Sequence, residues 1–203
     1  MKAKTILFII AGIILFFGVG NTKQKKFPVL KGPYLGQKLP GKIPKIFAPG
    51  IISTDYNERI AAFTPDGKEL YYVLAGAPHF VILYTMELDG RWIKPQVAPF
   101  SGKYLAEFNI SPDGNKIVFA SSQPLNGIGE PMESVRVWIV KRNEMGWGEP
   151  ICLMPSISGY PSLTKKSDLY FNSAREDAVG GEDIYVSRLV NGEYTEPVNI
   201  GSL

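Results

Sequence analysis

The stretch NISPDGNKIVFASS (109–122) decides how this chain is read. A short apolar run stops at Ser111-Pro112-Asp113-Gly114, and a second, more apolar run follows. The break between them is turn chemistry. Proline presets φ, aspartate bonds nearby backbone, and glycine takes the left-handed position. The same order recurs in AFTPDGKELYYV (62–73), where Asp66-Gly67 matches Asp113-Gly114 and Pro65 lies 47 residues before Pro112. A degenerate third copy, PSLTKKSDLYFNS (161–173), has Lys-Lys-Ser in place of Pro-Asp-Gly, which predicts a weaker turn.

A second signature follows each copy: a strand, a tight turn, then an aromatic residue and a proline three positions on. It reads ILYTMELDGRWIKP (82–95), VWIVKRNEMGWGEP (137–150) and IYVSRLVNGEYTEP (184–197). Asp89-Gly90 and Asn191-Gly192 are two-residue hairpin turns, since both central residues of a type I′ turn need positive φ. Trp92, Trp147 and Tyr194 begin the next strand. Pro95, Pro150 and Pro197 cannot donate to a ladder and belong on an edge.

Each unit therefore predicts four short strands, in the second about 104–111, 116–122, 134–142 and 147–153. That pattern at a period near 50 residues is how a β-propeller blade is written. The expected fold is all-β, with three four-stranded blades at 53–99, 101–153 and 155–199. The first strand of each lines the centre. A plain antiparallel sandwich would not repeat its turns in register. IPKIFAPGIIS (43–53) resembles KPQVAPFSG (94–102), so Ile43–Phe47 reads as an outer strand without a blade of its own. Three blades leave two apolar faces uncovered. This predicts either further repeats beyond residue 203 or self-association, since a six-bladed ring of such units needs about 300 residues.

At these motifs the chain resembles the WD40-like propeller repeat family, also called PD40 or TolB-like. The carrying residues are Thr64-Pro65-Asp66-Gly67-Lys68, Ser111-Pro112-Asp113-Gly114-Asn115-Lys116 and the run 169–197. In that run Arg175, Gly180-Gly181 and Asp183-Ile184-Tyr185 match the family's pattern. The resemblance covers about residues 43–203. It implies a propeller of an exported or cell-envelope protein that serves as a binding platform.

The start of the chain supports export. Lys2 and Lys4 precede the uncharged apolar run 5–19, shorter than a comfortable membrane span, and Gly18 and Gly20 suit a signal peptidase cutting after residue 20. Residues 1–20 thus read as a signal peptide or, given Lys23, Lys25 and Lys26, an uncleaved anchor helix. Residues 21–42 are rich in Lys, Gly and Pro without periodicity and read as a linker. Periplasmic, cell-envelope or secreted placement follows, with the membrane touched only through the N-terminal segment.

Composition fits a packed domain: 203 residues, 45% hydrophobic, 12% aromatic. The formal charge of +3 is too weak to argue for nucleic acid. Cys152 is the only cysteine, which rules out an internal disulfide and a cysteine metal cluster. No phosphate loop, nucleophile elbow or His-Glu-x-x-His motif occurs, and no cofactor or metal ligand set is legible. His79 is the only histidine and reads as a local packing residue. Asp113-Gly114 and Asp66-Gly67 are adjacent, whereas a sialidase Asp-box separates Asp from Gly.

The most charged loop is NSAREDAVGGEDIY (172–185). Arg175, Glu182 and Asp183 are its candidate ligand-binding residues, Arg175 gripping a carboxylate or sugar hydroxyl. The structural alternative pairs Arg175 with Asp183 to hold the blade. The long loop 121–134 names no ligand, and Glu107, Asp113 and Glu133 are scattered carboxylates. Tyr71, Tyr72, Phe119, Trp138, Tyr170, Phe171 and Tyr185 read as core between blades. The leading expectation is a non-catalytic platform for a protein or glycan. The rival is the propeller part of a glycan-active hydrolase, lyase or peptidase whose catalytic residues lie outside this chain.

Overall fold

The computed structural model describes residues 26–76, 79–102, 105–125, 129–154 and 159–201. The apolar run 5–19, its flanking lysines through Lys25 and the cleavage glycines lie outside the described residues. No helix among the described residues is long and apolar enough to cross a membrane.

The chain is all-β, built as three antiparallel sheets in sequence order. The first holds β1 (Asn57–Phe63), β2 (Glu69–Gly76), β3 (His79–Leu88), β4 (Arg91–Trp92) and β5 (Gln96–Val97). The second holds β6 (Leu105–Ile110), β7 (Lys116–Ser121), β8 (Arg136–Asn143), β9 (Gly146–Trp147) and β10 (Ile151–Met154). The third holds β11 (Gly159–Leu163), β12 (Leu169–Ser173), β13 (Asp183–Ser187) and β16 (Val198–Asn199), and β14 (Leu189–Val190) with β15 (Glu193–Tyr194) forms a separate two-stranded hairpin between β13 and β16 in sequence.

Strand alternation explains how the sheets stack. In β2, Tyr71 and Val73 point one way and Leu70 and Tyr72 the other, and all four are buried. Tyr71 and Val73 pack with Phe100 against Ile117, Phe119, Trp138 and Val140 of the second sheet. The opposite face of that sheet, Val118, Ala120, Val137 and Ile139, packs against Leu163, Leu169, Phe171 and Tyr185 of the third. A two-layer sandwich buries one face of each sheet; here the middle sheet is buried on both.

The expected continuous fourth strand is two pieces. β4 and β5 both pair with β3, and β9 and β10 both pair with β8. Pro95 and Pro150 fall in the gaps, where a missing N–H costs no ladder bond. The proposed orphan strand 43–47 is no strand either. Ile43 and Ile46 point into solvent. The segment read as a linker instead joins residues 47–52 in covering the outer face of the first sheet. Leu35, Ala48 and Ile52 are buried there with Leu70, Tyr72 and Trp92. Trp92 donates its N–H to Leu30 O at 3.0 Å and its indole Nε1–H to Gly32 O at 2.8 Å.

The repeat turns have the expected chemistry. Gly67 and Gly114 have φ of +69° and +72°. Each donates its N–H at 2.8 Å to the carbonyl of Thr64 or Ser111. The third turn keeps this geometry without glycine: Ser167 takes φ +66° and donates to Thr164 O at 2.9 Å. It is one residue shorter, since Thr164 Oγ1 accepts from Asp168 N, four residues on, where Thr64 Oγ1 and Ser111 Oγ accept from five residues on. Asp89-Gly90 and Asn191-Gly192 have positive φ at both positions, as type I′ turns require.

Candidate binding site on the edge strands

β1, β6 and β11 are the edge strands nearest one another, each paired on one side only. Each carries a bulge: the register slips between Arg59 and Ala62, between Leu105 and Phe108, and between Gly159 and Ser162. Ile60 and Tyr160 sit in these bulges with φ of +51°. A β-branched residue in that region is strained, and such strain gathers at functional sites.

The bulges bring three units to one carboxylate. Arg59 Nη2 lies 3.6 Å from Glu107 Oε1, and the Tyr160 N–H donates to the same carboxylate. Burial raises the Glu107 carboxyl above its ordinary value, against the opposing pull of Arg59 and of that N–H. Gly159 lies close under this group: a Cβ there would stand 3.2 Å from Glu107 Oε2, so the carboxylate would have to shift slightly to admit one. Asn109 Oδ1 accepts from Leu163 N at 3.5 Å, tying β6 to β11 again. Around the carboxylate, Tyr160 is exposed, Phe80 is partly exposed, and the Arg59 guanidinium lies 5.9 Å from the Phe80 ring centre. The cluster sets a cation, an aromatic ring and a carboxylate close together. Among the described residues no group of three or more His, Cys, Asp or Glu side chains is placed to hold a metal ion.

None of this was legible from motifs. Glu107 stood as one carboxylate among several, and Arg59 and Tyr160 carried no signal. Bulge position depends on how adjacent sheets meet, which pattern alone does not encode.

The residues singled out in the charged loop are placed differently. Arg175 does not pair with Asp183. Its Nη2 lies 3.7 Å from Glu196 Oε2, and its guanidinium sits 5.7 Å from the Tyr185 ring centre. Asp183 accepts from Val179 N at 2.7 Å and from Asn199 Nδ2 at 2.8 Å, which hold its carboxyl below its ordinary value. Glu182 accepts from Asn172 Nδ2 at 2.5 Å, and Tyr185 donates to Asp177 Oδ1 at 2.8 Å. The loop is folded on itself, and the carboxylates of Asp177, Glu182 and Asp183 already accept hydrogen bonds from the chain. His79 pairs with Gly76 at the start of β3, and its side chain lies outside the described residues. Part of the loop 121–134 does too.

These features define a class: a chain of sequential antiparallel β-sheets stacked through alternating faces. Among solved structures it is similar to TolB from Acinetobacter baumannii, with a TM-score of 0.51 and 20% identity over 71% of this chain. The match extends over 33% of that protein, so this chain spans about a third of its length. The likeness is one of fold, and the fold is TolB-like in its coarse features. No known family profile matches the sequence, and none of the curated proteins compared with it does.

Proposed function

We propose that the three sheets are blades of an exported β-propeller that serves as a non-catalytic platform for a protein partner, with the cluster around Glu107 as its contact face. The TolB-like fold supports the propeller reading, and the repeat motifs support export. The observation that carries the contact face is the row of bulges, which brings Arg59 and the backbone of the exposed Tyr160 to the same Glu107 carboxylate. An exposed aromatic and an Arg at the centre of a surface are the residue types that dominate protein contacts.

The far face of the third sheet belongs to the same reading. Tyr170, Ile184, Val186 and Val198 share that face by register, and Ile184 and Val198 are more than half exposed. The equivalent face of the second sheet is buried. A further blade or a second copy is proposed to pack there. Light scattering of this chain is expected to read a dimer, and Ile184→Asp with Val198→Asp to read a monomer.

The contact face is tested with a photoreactive amino acid at position 160. Irradiation in cells of the source organism, followed by fractionation, is expected to yield a discrete protein adduct in the exported fraction. Arg59→Ala should abolish it. Turnover of a glycan or peptide panel that Glu107→Gln removes would replace this reading with the enzymatic one. Adducts to glycan alone would change the partner class.

A further inference from the structure

Charge in this chain is segregated. Nine of the 22 Lys and Arg precede Asp55, whereas none of the 19 Asp and Glu do. The body from Asp55 onward is therefore net acidic and the N-terminal segment wholly basic. Within that segment KLPGKIPKI (38–46) repeats one unit three times: Lys38-Leu39, Lys42-Ile43 and Lys45-Ile46, set apart by Pro40-Gly41 and Pro44.

The fold holds this strap at both ends and leaves it uncovered. On one side Leu35 is fully buried and Gly32 accepts from the Trp92 indole. On the other Ala48 and Ile52 are buried, with Ile52 N donating to Ala48 O at 2.9 Å. Every residue from 38 to 46 is exposed. Leu39, Ile43 and Ile46 keep 72%, 75% and 74% of their surface in water. None of the ion pairs among the described residues involves Lys38, Lys42 or Lys45.

Three aliphatic side chains and three unpaired lysines on a strap stiffened by two prolines match one environment, the headgroup boundary of an anionic bilayer. There the aliphatics leave water and the lysines meet lipid phosphates. A soluble polyanion would satisfy the lysines and not the aliphatics. We infer that residues 38–46 are a membrane-contact strap that seats the acidic body on an anionic lipid surface. This does not rest on the propeller or its contact face, and it concerns residues separate from the apolar run 5–19.

The test is co-sedimentation of the full chain with two kinds of vesicle, pure phosphatidylcholine and an equimolar mixture with phosphatidylglycerol. The wild type is expected to bind the anionic vesicles more tightly, with added salt erasing the difference. Lys38→Gln, Lys42→Gln and Lys45→Gln together should lower anionic binding about 100-fold at low salt, at roughly one factor of five per lysine. The neutral-vesicle baseline should not move. Leu39→Ser, Ile43→Ser and Ile46→Ser together should lower anionic binding as well. Equal wild-type binding to both vesicles, or undiminished binding by the glutamine variant, overturns the inference. Undiminished binding by the serine variant does so too, because it would indicate a polyanion rather than a bilayer. The wild-type comparison needs no variant to fold.

Discussion

At the residue scale, the repeat turns show why Asp and Gly recur. Asp113 Oδ1 accepts from Ser111 Oγ at 2.5 Å and from Asn115 N at 3.0 Å, bonds that bring its carboxyl down to about 2. Its folded value lies below the ordinary 3.8, so the contribution is present above that pH and is lost as pH falls toward 2. Asp113→Asn should therefore destabilise the protein in denaturant melts at neutral pH and show little difference at pH near 2. The effect should stay below about 1 kcal/mol, because the carboxylate is half exposed and screened. Gly114 has a second reason to lack a side chain: a Cβ there would stand 3.1 Å from Pro65 Cδ in the preceding turn. Gly67 has open space around it. Ala at either position costs about 1–2 kcal/mol for the left-handed backbone. Gly114→Ala should lower the melting midpoint further than Gly67→Ala.

At the element scale, the sheets are joined by polar clasps as well as by core. Arg142 of β8 reaches back to the first sheet, its Nη2 donating to Glu69 Oε2 at 2.5 Å and its Nε to Gly114 O at 3.0 Å. Its guanidinium lies 4.3 Å from the Trp147 ring centre. Tyr71 donates to Glu69 at 2.6 Å and accepts from Trp147 Nε1 at 2.8 Å. Between the second and third sheets Lys116 Nζ donates to Ser167 Oγ at 3.1 Å. Arg142→Ala strands Glu69, which is mostly buried, and should cost about 2 kcal/mol by chemical denaturation, less than for a fully buried pair. Arg142→Lys should recover only part of that, since an ammonium cannot bond Glu69 and Gly114 while lying flat on Trp147.

At the scale of the whole molecule, residues 30–35 and 47–52 are part of the folded body. Leu35 is as buried as the strand residues it meets, although it stands outside every strand. Leu35→Ala should lower stability by about 2–5 kcal/mol. Leu39→Ala, four residues away and exposed, should change it by less than about 0.5 kcal/mol. A denaturation series on the two variants separates a packed cover from a tether. Equal and small effects would mean the segment hangs free.

Local chemistry made the sheets and turns readable. Pro-Asp-Gly, Asp89-Gly90, Asn191-Gly192 and the alternating aromatics act through neighbours in sequence, so their pattern determined the all-β class, the strand order and the hairpin turns. The third turn went further than its motif suggested, because Ser167 tolerates a left-handed φ when both flanking strands are held. What joins distant segments had no such trace. Glu107 between Arg59 and Tyr160, Arg175 on Glu196 rather than Asp183, and Leu35 under Trp92 follow from where separate sheets meet. Those contacts are set by packing across tens of residues, and only the tertiary structure decides them.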